Sequence, residues 1–316
     1  MTLSGHLVRV TQPEPPAADA PEVAVLSSLR RRRPPEPGGR LREAVVLSGG
    51  GSLGAVQIGA LRALLEAGIT PDVFVGCSVG ALNAAAVAVN PTIERLNEVE
   101  RIWRGLDRKD VFGGNRRMLA THFLRGDDHL YEPDALRSLV RRAVPINDLA
   151  ETAVACHVVT TDLETGSPCW WTTGDPVAVL TASACLPAVF PPVPLGGSLH
   201  VDGGVTCPVP TARALDLGAV RTWVIDVTGG QMGRRDERMN ALDVLLRSFA
   251  ITRAQLDADA DPRPGQHVAR LPRLDLDRHE LRDFSQTPRL LDEGYTAMSD
   301  LVAAELTSVP TQRTAT

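Results

Sequence analysis

Short apolar runs alternate along this chain with longer stretches whose apolar residues recur every three to four positions. The runs at 44–47 and 73–75 are continuous, as expected of strands buried on both faces of a parallel sheet, and 222–227 reads as a further buried strand. After the first, Val56, Ala60, Ala63, Leu64 and Ala67 share a face of a helix predicted over about 54–67, which Gly68 stops. A small-residue helix is predicted over 81–89, and Ile93, Leu96, Val99, Trp103 and Leu106 mark an amphipathic helix ending near Gly105. Leu136, Leu139, Val140 and Ala143 predict a helix before Pro145, and others are expected over 176–184, 211–217, 241–256 and 288–306. The segments 153–161 and 168–173 bracket a turn around Glu164-Thr165-Gly166 and read as a hairpin or adjacent strands, with further strands at 199–201 and 267–271. The run 186–194 is broken by prolines and is expected to be irregular. This alternation of strand and helix predicts an α/β, three-layer domain with a central, mostly parallel sheet.

Two of the strands end in glycine-rich turns that open helices. Ser48 to Gly54 contains Gly49, Gly50 and Gly51 in succession, so the backbone can take positive φ and approach a ligand closely; it reads as an anion cradle. Gly76-Cys77-Ser78-Val79-Gly80 matches the GxSxG elbow, which exposes its serine on a sharp strand-to-helix turn. Parallel neighbouring strands put both turns at one sheet edge. A serine hydroxyl needs a base to take its proton and donors for the oxyanion it creates. Ser78 at a helix N-terminus and the amides of Gly49, Gly50 and Gly51 supply the donors.

The base is less evident. None of the seven histidines sits in a convincing loop: His157 falls inside a strand pattern, and His200 lies next to Asp202. Asp202 ends a short strand and is followed by Gly203 and Gly204, a placement that suits a base and equally suits an ordinary Asp-Gly turn. A triad of Ser78, Asp226 and His267 or His279 has the chain order of an α/β-hydrolase, although only one βα unit precedes the elbow. Gly49, Gly51 and Gly54 also satisfy a dinucleotide-binding GxGxxG, but the acidic residue expected at the end of the second strand is absent and Asp72 precedes that strand. A lipid-binding module with a decayed site is a third reading.

Composition narrows these choices. At 43% hydrophobic and 22% charged, the 316 residues are ordinary for a soluble globular protein, and a net charge of -5 gives no overall case for nucleic acid. Five cysteines, odd in number and without CxxC spacing, argue for reduced core residues over a disulfide framework or zinc ribbon; no metal cluster is evident, and neither metal nor cofactor is expected. Residues 1–40 are Pro- and Arg-rich and read as a flexible tail, in which Arg30 to Arg33 could meet anionic headgroups at about 1 kcal/mol each. The expected organisation is this tail, a hydrolase domain over 41–306 and a tail over 307–316. No window approaches the roughly 18 apolar residues of a membrane span, so a cytoplasmic protein, peripheral at most on a membrane, is expected. The segment 107–130 is either a cap over a cleft or a surface connection with short helical turns.

The combination of Gly49-Gly50-Gly51-Ser52-Leu53-Gly54, Gly76-Cys77-Ser78-Val79-Gly80 and Asp202-Gly203-Gly204 resembles that of the patatin-like phospholipases. The run Ala182 to Pro192 and the late stretch Thr287 to Tyr295 are similar to the family's segments there, so the resemblance spans roughly 41–305. It implies a Ser-Asp dyad of Ser78 and Asp202, an oxyanion hole at Gly49, Gly50 and Gly51, motif support from Gly54, Gly76, Gly80, Gly203 and Gly204, and a lipid acyl-ester substrate. An aspartate of ordinary pKa about 3.9 is ionised at neutral pH and is a weak base, so direct hydrogen bonding to Ser78 is required. The sequence departs from the family at Leu53, where many members carry Arg or Lys. Cys77 reads as a packing residue, and Trp170 and Trp171 either line an acyl channel or pack in the core or at a sheet edge.

Overall fold

The computed structural model describes residues 41–113, 128–227, 244, 248, 251, 261–274 and 282–308. The tail expected over 1–40, most of the segment 107–130 and most of the helix expected over 241–256 lie outside them. The elements in chain order are β1 (Glu43–Leu47), α1 (Gly54–Glu66), β2 (Val73–Cys77), α2 (Val79–Ala88), α3 (Ile93–Gly105) and α4 (Arg108–Phe112). They continue as α5 (Asp134–Ala143), β3 (Ala155–Asp162), β4 (Pro168–Trp171), α6 (Pro176–Ser183), β5 (Val193–Leu195) and β6 (Ser198–Asp202). The last are α7 (Thr211–Asp216), β7 (Arg221–Ile225), β8 (His267–Arg270) and α8 (Thr287–Ser308).

Among the described residues the strands form one sheet in the order β5-β6-β3-β2-β1-β7-β8, with β4 also pairing β3. β3, β2, β1, β7 and β8 run parallel, whereas β4 and β6 are antiparallel to β3, and β5 is antiparallel to β6. Strand alternation divides the core. Val45, Leu47 and Phe74 face the layer containing α1, α2, α3 and α8, while Ala44, Val46, Val73 and Val75 face Ala214 and the turn after α7. These are the three layers the sequence pattern predicts. The run 186–194 is not wholly irregular, because Val193–Leu195 forms β5. Pro194 is tolerated there since β5 is an edge strand with β6 as its one neighbour in the sheet.

Two packing features set the frame around the site. Helix α8 lies against α1 at Gly59 and Gly294: a Cβ on Gly59 would meet the carbonyl of Leu291, and one on Gly294 would meet the carbonyl of Val56. Arg95, nine-tenths buried on α3, donates through Nε to the Ala86 carbonyl at 2.9 Å and through Nη2 to the Ala143 carbonyl, tying the ends of α2 and α5 together. No described helix is long and apolar enough to cross a membrane.

Candidate active site

Ser78 occupies the single position between β2 and α2, with φ 55° and ψ −126°. A non-glycine residue in this region costs on the order of 1–3 kcal/mol and persists only where its surroundings over-determine it. Here its amide donates to Ser183 Oγ at 3.0 Å, and that hydroxyl donates to the Val159 carbonyl at 2.7 Å, fastening the elbow to α6 and β3. The glycines on either side permit close approach. A Cβ on Gly76 would sit 2.6 Å from Ala81 Cα, and one on Gly80 would strike the carbonyls of Leu47 and Ser48, so α2 begins directly on the first glycine turn.

The register of β3 brings the second residue to the elbow. Val159 pairs with Cys77 and Thr160 with Asp202, which places Ser78 and Asp202 at the same level although they are 124 positions apart. Ser78 Oγ donates to Asp202 Oδ2 at 2.7 Å. Asp202 Oδ1 accepts the Gly204 amide at 2.7 Å, and the Asp202 amide donates to the Cys185 carbonyl at 2.9 Å. Gly203 packs against the Val159 carbonyl. Ser78 is 7% exposed and Asp202 fully buried, so the hydroxyl and carboxylate meet in a water-poor site, where their interaction is strengthened.

The first turn contributes unevenly. The Gly49 amide donates to the Pro208 carbonyl at 3.2 Å, while those of Gly50 and Gly51 have no partner among the described residues. Gly51 takes φ 57° and, with Ser78, lines a cavity of about 110 Å³. The cavity runs between α2, α3 and α5 along Leu82, Ala86, Val99, Leu136 and Ala143, an apolar wall. Its aromatic lining comes from Trp103, Phe112, Phe190 and Phe284; Trp170 and Trp171 are elsewhere. Trp171 donates to Thr160 Oγ1 and stands edge-on to His200, and Trp170 lies under the Arg213 guanidinium. Phe112, in the segment expected as cap or connection, stacks on Phe190 at 5.8 Å. Leu53 is buried in the core.

The other sequence candidates are engaged away from this site. Among the described residues no histidine bonds Ser78: His200 meets Thr160 and Ser198, His267 meets Glu305, and His279 is outside the described residues. Asp226 faces Arg270 at 3.9 Å. Asp72 accepts the amides of Arg42 and Glu43 at the opposite end of β1, which is no place for a ribose. Asp162, Cys169 and His200 bring one ligand atom each within 4.8 Å of one another, a juxtaposition the spacing did not reveal. Asp162 is already bonded to two amides and Ser198, and both His200 nitrogens to hydroxyls, so these groups are satisfied as side-chain braces. Burial pushes the Cys156 and Cys185 thiols up to about 12 and Cys207 up to about 11, leaving them inert as nucleophiles. Cys77 is fully buried, with Sγ 4.0 Å from Asp202 Oδ1.

Burial, and then the Arg213 guanidinium, push the His157 imidazole down from 6.5 to about 4. The folded protein therefore binds fewer protons than the unfolded chain between these values, and the associated stability, complete above pH 6.5, is lost as pH falls toward 4. Thermal melts should show this acid-side decline, and His157→Gln should flatten it.

Several known proteins are similar to this chain in sequence. An uncharacterized NTE family protein of Mycobacterium bovis is 29% identical over 226 residues, which is 69% of this chain and 59% of that protein. The chain thus spans about three-fifths of that relative's length. Patatin-like phospholipase domain-containing protein 7 of Rattus norvegicus is 28% identical over 196 residues, 61% of this chain and 14% of that protein. Among solved structures, VipD from Legionella pneumophila aligns with a TM-score of 0.45 at 14% identity, over 85% of this chain and 69% of that one. A family model described as patatin-like phospholipase matches residues 45–215, from β1 into α7 and with Ser78 and Asp202 both inside it: this chain belongs to the patatin-like phospholipase family.

Proposed function

We propose that this chain is a lipid acyl-ester hydrolase of phospholipase A or lysophospholipase type, with residues 41–306 as its hydrolase domain and a Ser78–Asp202 dyad as its machinery. The observation that carries the reading is the 2.7 Å hydrogen bond to Asp202 Oδ2 from Oγ of Ser78, a residue that lines an apolar cavity. Asp202 takes the hydroxyl proton as Ser78 Oγ attacks the ester carbonyl carbon, and the amides of Gly50 and Gly51 receive the negative charge that moves onto the carbonyl oxygen. Collapse of this tetrahedral species breaks the bond to the alcohol, which leaves with the proton from Asp202. Water then gives a proton to Asp202 and attacks the acyl-Ser78 ester, and Ser78 recovers that proton as the fatty acid departs. The cavity favours an alkyl chain, since each methylene moved out of water contributes about 0.8 kcal/mol.

The cycle draws on no cofactor, and the protein would act in the cytoplasm, meeting a membrane surface only peripherally to reach its substrate. A fluorophosphonate probe followed by peptide mass spectrometry tests the nucleophile. The expected result is one adduct on Ser78, absent from Ser78→Ala, together with fatty-acid release from at least one of phosphatidylcholine, lysophosphatidylcholine, triglyceride or a simple ester. Folded protein that neither labels nor releases fatty acid would be a binding module instead.

A further inference from the structure

The polypeptide of the glycine turn is held from both ends by side chains that take no step in the ester chemistry, two of which, Asn83 and Trp103, also line the cavity. Gln57 on α1 donates through Nε2 to the Ser48 carbonyl at 2.7 Å, immediately before Gly49. Asn83 on α2 donates through Nδ2 to the Gly54 carbonyl at 3.0 Å and to Gln57 Oε1 at 2.8 Å. Trp103 on α3 completes the chain by donating Nε1–H to Asn83 Oδ1 at 2.9 Å. All three residues are buried, at 0%, 3% and 5% exposure. The indole lies so close to the turn that a Cβ on Gly54 would be 2.8 Å from its Cζ2 and Cη2. Ser48 is held on its other side as well, its Oγ accepting the Val227 amide at 2.9 Å.

We propose that Gln57, Asn83 and Trp103 are positioning residues that act as one unit, fixing the amides of Gly50 and Gly51 relative to Ser78. The inference rests on the reading of Ser78 as nucleophile. Asn83 lies on the helix that Ser78 opens, while the carbonyls it and Gln57 hold flank the turn that carries the donors, so a single hydrogen-bonded network joins nucleophile helix and oxyanion turn. That junction matters because donors stabilise an oxyanion only within about 2.7–3.1 Å of it, and a misplacement of about 1 Å can cost roughly a hundredfold in rate. Buried polar networks are costly unless every member is satisfied, and here each amide and the indole finds its partner, which makes the arrangement rigid.

The variants Trp103→Phe, Gln57→Met and Asn83→Leu keep side-chain bulk and remove the hydrogen bonds. With p-nitrophenyl butyrate, kcat should fall about 10-fold in Trp103→Phe and about 100-fold in the other two, with KM within about 3-fold of the parent. Fluorophosphonate inactivation should slow in parallel, because the phosphoryl oxygen uses the same donors. The double variant Gln57→Met/Asn83→Leu should be no slower than its slower parent, since residues of one unit are not additive. Unchanged kcat, a loss confined to KM, or multiplicative effects in the double variant would each overturn the proposal. Should Gln57→Met or Asn83→Leu fail to fold, Trp103→Phe alone decides it by the same kcat and KM criteria. A parent protein that neither labels at Ser78 nor hydrolyses the ester overturns the functional reading and the unit with it, whereas an active parent with unaffected variants overturns the unit alone.

Discussion

Replacing Asp202 with Asn should lower ester turnover by about a thousandfold or more, equivalent to at least about 4 kcal/mol of transition-state stabilisation, and leave the fold intact. An asparagine Oδ1 can still accept the Gly204 amide that holds the turn after β6, so the shape survives. What is lost is the acceptor 2.7 Å from Ser78 Oγ, because an amide nitrogen donates to the hydroxyl where a carboxylate would take its proton. Ser78→Ala should be at least as damaging. His157→Ala and His200→Ala should retain turnover per folded molecule, since these imidazoles contact Arg213 in one case and Thr160 and Ser198 in the other. Steady-state rates scaled to the folded fraction from circular dichroism would decide the matter. If a histidine variant lost turnover and Asp202→Asn kept it, the dyad would be wrong.

The second large effect concerns stability. In a helix interior Gly→Ala ordinarily stabilises by up to about 1 kcal/mol, through backbone entropy and helix propensity. At Gly59 and Gly294 the sign should reverse. The new Cβ would overlap a main-chain carbonyl of the opposing helix, and main chain cannot rotate aside as a flexible side chain does. Separating α1 from α8 would loosen the packing of Leu290, Leu291 and Met298, so each variant should lose about 3 kcal/mol, the upper part of the usual range for overpacking. For a domain of this size that corresponds to roughly 6–12 °C in Tm. Gly105→Ala is the control, since a Cβ there meets nothing within 4 Å, and it should be neutral or slightly stabilising. Thermal melts of the three variants test the sign directly; a gain at Gly59 or Gly294 would mean that the helices do not approach as closely as described.

Much of the fold was legible because it is local. The apolar runs located β1, β2 and β7, because a strand buried on both faces needs no polar alternation, and the recurrence of apolar residues every three to four positions located α1, α3 and α5, because it marks the face each helix turns to the core. Proline misled at Val193–Leu195: its missing amide excludes a central strand, yet an edge strand has a side that needs none. The antiparallel placement of β6 against β3 left no local mark. Ser183 carried no signal as the partner of the Ser78 amide, and Gln57 and Asn83 are single polar residues within apolar helical stretches, where only their burial reveals the network. That polar interruption was the one available clue.

The sequence by itself determined the kinds of group available: a serine on a GxSxG elbow, a run of glycines, an Asp-Gly-Gly, and the alternation that puts two turns at one sheet edge. Tertiary structure decided which groups meet. It turned the Gly49 amide to Pro208, left those of Gly50 and Gly51 without a protein partner among the described residues, set Asp202 and no described histidine against Ser78, and drew the cavity wall from α2, α3 and α5. The physical reason is range. Dihedral preference and hydrophobic periodicity act over a few residues and are written in the sequence. A 2.7 Å hydrogen bond between residues 124 positions apart depends on strand register and on the direction each side chain takes once the layers are packed.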